Sequence, residues 1–172
     1  NDLSNLPSVP LKEETIPKSS TIFGIAFSIV FCILFLIIPE VFVVISGDTF
    51  IPVFNKVSIR NMWYLFVLFT LLSLIRDLYK LHLGRYSKKL LVLSLITNSL
   101  SIIPAYLFTH TDKLINQELL DFMSSAIFSK EDASIVMLLF NNIPHIFFII
   151  ILFALFLDVL TTGIKAFQFD KS

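Results

Sequence analysis

Charge is scarce in this chain, at 15% of 172 residues, against roughly 25% in a soluble domain; water is therefore not its main solvent. Glycine and histidine are scarcer still, with four and three residues. No phosphate-cradling glycine loop, H-E-x-x-H or G-x-S-x-G occurs, so an enzyme is not expected. The one cysteine, Cys32, lies inside an apolar run, which excludes an intrachain disulfide and a cysteine-rich metal site; no cofactor is implied. Net charge is zero, 13 basic against 13 acidic residues, so no overall field draws nucleic acid. No cationic segment with a cleavable apolar stretch opens the chain, and a start at Asn1 rather than Met is expected of the excised part of a longer protein.

What is abundant is apolar: 56% of residues, 19 of them Phe, with mean hydropathy +0.85. The pattern predicts an all-α membrane protein with four transmembrane helices and one external amphipathic helix. Residues 1–20, with Pro7, Pro10 and Pro17, read as a cytoplasmic linker, and 21–172 as the four-helix transmembrane domain. Ser19, Ser20 and Thr21 offer caps to a first span, Ile22–Ile38, ended by Pro39-Glu40. Val41–Ile45 is available to extend it by a turn, and Thr49–Asn55 is expected to form an interfacial loop.

The second span begins at Asn61. Its uncharged stretch to Ile75 is only 15 residues, about 22 Å of helix against a hydrocarbon core of about 30 Å. It must therefore take in Arg76 and Asp77 and run to Tyr79, with Arg76 snorkelling to headgroups. Gly84 breaks the helix and Ser87 can cap the third span, Leu90–Phe108, which contains Pro104. Thr111–Lys130 has helical apolar spacing at Ile115, Leu119 and Phe122, an amphipathic surface helix. Ser129 with Asp132 three residues on resembles a capping box before the fourth span, Ala133–Leu157.

With four spans, Lys12, Lys18, Arg76, Lys80, Arg85, Lys88, Lys89, Lys165 and Lys171 fall on one side, and Lys56, Arg60, Lys113 and Lys130 on the other. The excess of Lys and Arg places both termini in the cytoplasm.

Polar residues inside the spans are the candidate site. Gly24, Ser28 and Cys32 on the first span, and Ser94, Asn98, Ser101 and Ala105 on the third, are spaced as helix-packing stripes. Asn141, Asn142 and His145 flank Pro144, whose missing amide frees a carbonyl that they can serve; His145 in a wet setting also suits a proton or ligand sensor. Asn98, Ser101, Asn141 and His145 are expected to face the bundle interior and meet one another. Arg76 and Asp77, about 100° apart around a helix, are expected to pair with other helices rather than each other.

The order of features, TIFGIAFSIVFCILFLIIPE, then FIPVFN, then a short span into Gly84-Arg85 and a third span, resembles the membrane region that follows the cytoplasmic helical HAAS domain in Gram-positive bacterial signalling proteins. Phe23, Pro39, Glu40, Phe50, Pro52, Phe54, Asn55, Gly84 and Arg85 carry the likeness. The resemblance implies a multi-pass membrane sensor or anchor coupled to a cytoplasmic helical module, in a setting of PadR-type regulators and envelope-stress control.

The function expected is therefore a non-enzymatic sensor or anchor in the cell membrane. Its partners are the lipid bilayer, the cytoplasmic module or its regulator, and in one arrangement a second copy; nucleic acid is not touched directly. The alternative is a small transporter or permease subunit with a polar path past Asn98, Asn141 and His145. An intramembrane enzyme ranks third.

Overall fold

A computed structural model describes residues 12–126, 138–139 and 142–170. The elements are α1 (Lys18–Ile37), a 3-10 turn (Pro39–Val41), β1 (Val43–Ser46), β2 (Thr49–Pro52), α2 (Lys56–Asn61), α3 (Trp63–Leu83), α4 (Lys88–Thr109), α5 (Gln117–Ala126) and α6 (Ile143–Phe169). Three helices, α1, α4 and α6, are long and apolar enough to cross a membrane. With 21 residues α3 is as long, but it carries Arg76, Asp77 and Lys80. The long helices form a row in which α1 packs on α3, α3 on α4 and α4 on α6. One end of the row, the hairpin end, bears β1, β2, α2 and α5; the other, the linker end, bears residues 12–17 and the α3–α4 turn.

Local chemistry explains the boundaries. α1 starts at Lys18, directly after Pro17, whose carbonyl accepts from Thr21 Oγ1 at 3.1 Å; the expected serine and threonine caps are thus already inside the helix. α3 ends at Gly84 with φ +67, the left-handed C-cap that only glycine adopts without strain, and Ser87 caps α4 by accepting from the Leu90 amide at 3.2 Å.

The interfacial loop expected at Thr49–Asn55, and the extra helical turn at Val41–Ile45, are replaced by an antiparallel hairpin pairing Val43 with Pro52 and Ser46 with Thr49. Val43, Val44 and Ile45 favour extended backbone, and Gly47 supplies φ +59 in a two-residue loop. The amphipathic helix expected from Thr111 starts later, at Gln117. Before it, the chain pairs with the hairpin strand's continuation: Asn55 N donates to Leu114 O at 2.8 Å and Asn116 N to Val53 O at 2.9 Å. Those bonds hold 111–116 out of a helix. The capping box at Ser129 and Asp132, Asn141, and the first part of the Ala133–Leu157 span lie outside the described residues.

Phenylalanine builds the hairpin end. Phe23, Phe27, Phe31 and Phe35 stack along one face of α1 at four-residue spacing, centroids 6.0 to 6.3 Å apart. Phe35 is 3% exposed and meets Phe66 at 4.6 Å, Phe54 at 5.0 Å and Phe108 at 5.8 Å; Ile59 and Leu114 complete this core. Gly24 has nothing within 4 Å of where a Cβ would stand. Aromatic rings bridge α1 and α3, with Phe31 and Phe35 meeting Phe66 at 6.1 and 4.6 Å, while nothing packs closely on Gly24 of the expected small-residue stripe. On α4 the stripe does pack: Ser94, Asn98, Ser101 and Ala105 are all buried.

Candidate functional site

Halfway along α4, Asn98 sits at the centre of a charged network joining three helices. Arg76 of α3 donates through Nη1 to Asn98 Oδ1 at 3.0 Å and to Asp158 Oδ2 of α6 at 3.3 Å. Lys80, one turn further along α3, reaches Asp158 Oδ1 at 3.0 Å. Asn98 Nδ2 donates to the same carboxylate at 2.9 Å and to the Leu155 carbonyl at 3.1 Å. Ser73 Oγ and Asp77 Oδ1 take the remaining guanidinium contacts, both at 3.2 Å. Two cations meet two carboxylates, so the network is neutral overall, and every charged side chain in it is about one-fifth exposed or less.

Arg76 therefore does not snorkel away from the bundle. Its long side chain turns along the helix to reach the adjacent Asp77 and also crosses to α4 and α6, so the expectation that Arg76 and Asp77 avoid each other fails. Backbone directions 100° apart do not bind a side chain of that length.

The other candidates go elsewhere. Ser101 Oγ donates to the Thr97 carbonyl one turn back, at 2.7 Å, a bond within α4 rather than between helices. Asn142 Nδ2 donates to the Leu138 carbonyl at 2.7 Å and is exposed. His145 meets His110 at the hairpin end, Nδ1 to Nε2 at 3.0 Å. Asn98, Ser101 and His145 thus do not meet one another, because they occupy different levels of the row.

Asp158, Lys80 and His110 are site residues that the residue pattern alone did not single out. Asp158 is the first charge after a long apolar run, one residue past the expected end of the span at Leu157; α6 instead continues for eleven more residues to Phe169. A usable signal existed, since α3 brings two cations, Arg76 and Lys80, and only one carboxylate into an apolar setting, which demands a second acid nearby.

The linker end is tied to this network through the α3–α4 turn. Ile16 N donates to Gly84 O at 2.9 Å and Tyr86 N to Glu14 O at 3.1 Å, so the segment entering α1 lies against the turn. From α6, Asp170 accepts from the Lys88 amide at 2.9 Å and the Lys165 ammonium lies 4.5 Å from the Tyr86 ring centroid. At the hairpin end, a cavity of about 510 Å3 opens between β2 and α5, lined by Thr49, Phe50, Ile51, Glu118, Asp121, Phe122 and Ser125. Among the described residues no three metal-ligating side chains gather. No family model, curated protein or solved structure matches the chain.

Proposed function

We propose that this chain is a non-enzymatic, multi-pass membrane sensor or anchor domain. It crosses the bilayer four times, with α3 a span beside α1, α4 and α6 and both termini cytoplasmic, and biases a helical signalling module joined to the linker. The Arg76–Asn98–Asp158–Lys80 network carries the reading. Desolvated ion pairs contribute little net stability compared with apolar packing, and their best-attested use is to fix one arrangement against others. Here the arrangement fixed is the position of α3 and α6 about α4, one or two turns from the α3–α4 turn on which the linker lies. A signal at the hairpin end that favours another helix arrangement acts by its differential affinity for the two states, and the linker is where the change leaves the membrane. In this reading the β2–α5 cleft is the outward-facing surface.

A transporter is the second reading, favoured by one observation: Asn98 also lines a cavity of about 340 Å3 between α4 and α6, with Ser99 and otherwise apolar side chains. Intramembrane charge often marks a transport path.

One experiment separates the two. With the full chain in lipid nanodiscs and Cys32 replaced, spin labels at Glu13 and Lys89 report the linker-to-turn distance, and the expected result is a broadened, longer distribution in Asp158→Asn. An unchanged distribution, with loss of solute flux in proteoliposomes, selects the transporter. Topology is checked separately: single cysteines at His82 and Ser125 are expected to label from the cytoplasmic and external sides respectively, and labelling of His82→Cys from outside reverses the orientation.

A further inference from the structure

Two of the three histidines in the chain converge at the hairpin end. His110 closes α4 and His145 stands in the first turn of α6, 35 residues on, with His110 Nε2 and His145 Nδ1 3.0 Å apart. His110 Nδ1 lies 3.0 Å from the Tyr106 carbonyl oxygen. Thr109 Oγ1 lies 3.1 Å from the same nitrogen but its hydroxyl donates to the Ala105 carbonyl at 2.8 Å; a carbonyl only accepts, so the tautomer that satisfies both contacts has the proton on Nδ1 and the Nε2 lone pair toward His145. Metal-ligating histidines are oriented in this way, one ring nitrogen donating to a backbone carbonyl and the other free to ligate. The ring is also held in place by stacking on Tyr106 at 4.2 Å and 23°, with Phe148 edge-on at 5.7 Å.

We propose that His110 and His145 form a two-histidine site for a borderline-soft divalent cation, Zn2+ or Cu2+, between the ends of α4 and α6. Imidazole nitrogens suit these ions better than Mg2+ or Ca2+. Two nitrogens at about 2.0–2.1 Å from a tetrahedral ion stand about 3.3 Å apart, so the pair opens by a few tenths of an ångström and each ring turns by about 35° to bring both lone pairs onto the ion. The protons balance: His145 now donates Nδ1–H to His110 Nε2, and on binding that proton relocates to His145 Nε2. Both rings then ligate as neutral imidazoles and no proton is released. His145 is exposed, which gives an ion access, and the other coordination positions fall to water or an exchangeable ligand, since no third His, Cys, Asp or Glu joins the pair among the described residues. The site stands independently of the sensor reading.

The test uses the purified full chain in nanodiscs, titrated with Cu2+ and Zn2+ by calorimetry, with Mg2+ in excess. One ion per chain is expected, with a Cu2+ spin-resonance spectrum showing coordinated imidazole nitrogen. His110→Ala and His145→Ala should each weaken binding by more than about tenfold, whereas His82→Ala, at the linker end of α3, should leave it unchanged. The wild-type spectrum decides without any variant: no imidazole nitrogen signal overturns the site, as does an affinity shared by all three variants.

Discussion

The two ends of the helix row hold α3 and α4 together by opposite chemistries. At the hairpin end, Phe35 touches five rings at interplanar angles from 14° to 76°, a spread wide enough that small rotations cost little. From the middle of α4 toward the linker end, Arg76, Lys80, Asn98 and Asp158 share hydrogen bonds of 2.9 to 3.3 Å, directional contacts that converge on one carboxylate. A helix row that is soft at one end and latched at the other has a natural pivot in its aromatic cluster. A second arrangement of these helices would therefore first show at the latch rather than at the rings.

Breaking the latch should have the largest effect. Asp158→Ala leaves Arg76 and Lys80 with no partner on α6, and losing one member of a desolvated pair costs about 3–5 kcal/mol. Thermal unfolding of the full chain in nanodiscs measures it. The triple variant Arg76→Met, Lys80→Met, Asp158→Leu should recover most of the loss, because no unpaired charge remains; a triple variant as unstable as Asp158→Ala would mean that the network stabilises the fold outright rather than selecting one arrangement.

Phe35→Ala tests the soft end, with about 2 kcal/mol expected in the same assay. Removing a buried Phe from a water-soluble core costs about 3–5 kcal/mol, but beside lipid the apolar transfer part is largely absent and lost packing is what remains. The linker-to-turn distance should stay as in the wild type, in contrast to the latch variants. If Phe35→Ala shifts the linker as far as Asp158→Asn does, the two ends do not differ in the way described.

How much of this was readable from residue order depends on the range of the interaction. The helices are written in runs of apolar residues and their breaks, and Pro39, Gly84 and Ser87 end or cap helices where their own backbone chemistry demands. The hairpin at Val43–Pro52 was obscured because β-branched and aromatic residues suit both lipid and a strand, and only pairing with 53–55 and 114–116 decides it. Asn98 was recognisable as polar in an apolar helix, yet its partner Asp158 lies 60 residues away, beyond any periodic pattern. The α1 phenylalanines carry a four-residue period; what that period could not specify was the neighbour they face.

Asn98→Leu sharpens the latch with a smaller change, about 1 kcal/mol. Asn98 links the helices by three bonds but carries no charge, so its loss leaves Arg76–Asp158 and Lys80–Asp158 intact. The spin-label distance should broaden less than in Asp158→Asn. An effect on stability as large as that of Asp158→Ala would make the amide, rather than the ion pairs, the centre of the network.

The smallest effect is expected from the ion pair that the hairpin end does possess. Glu40, in the 3-10 turn after α1, accepts from Lys56 Nζ at the start of α2, and both side chains are well exposed, so solvent screening leaves little stabilisation. The hydrogen bond from Lys56, its own backbone amide and the nearby charges of Lys56 and Arg60 hold the Glu40 carboxyl below the ordinary glutamate range. A carboxyl depressed in the folded state adds stability above its unfolded pKa, and that contribution is lost as pH falls through the lower folded value. Acidification should therefore release the turn only below the range in which a free glutamate protonates. Carboxyl-carbon NMR titration should place the Glu40 midpoint under that range, and Lys56→Met should move it back up with no measurable change in the linker distance. A midpoint that Lys56→Met leaves in place would show that the backbone, not the lysine, holds the charge, and the exposed pair would then have no part in fixing the hairpin end.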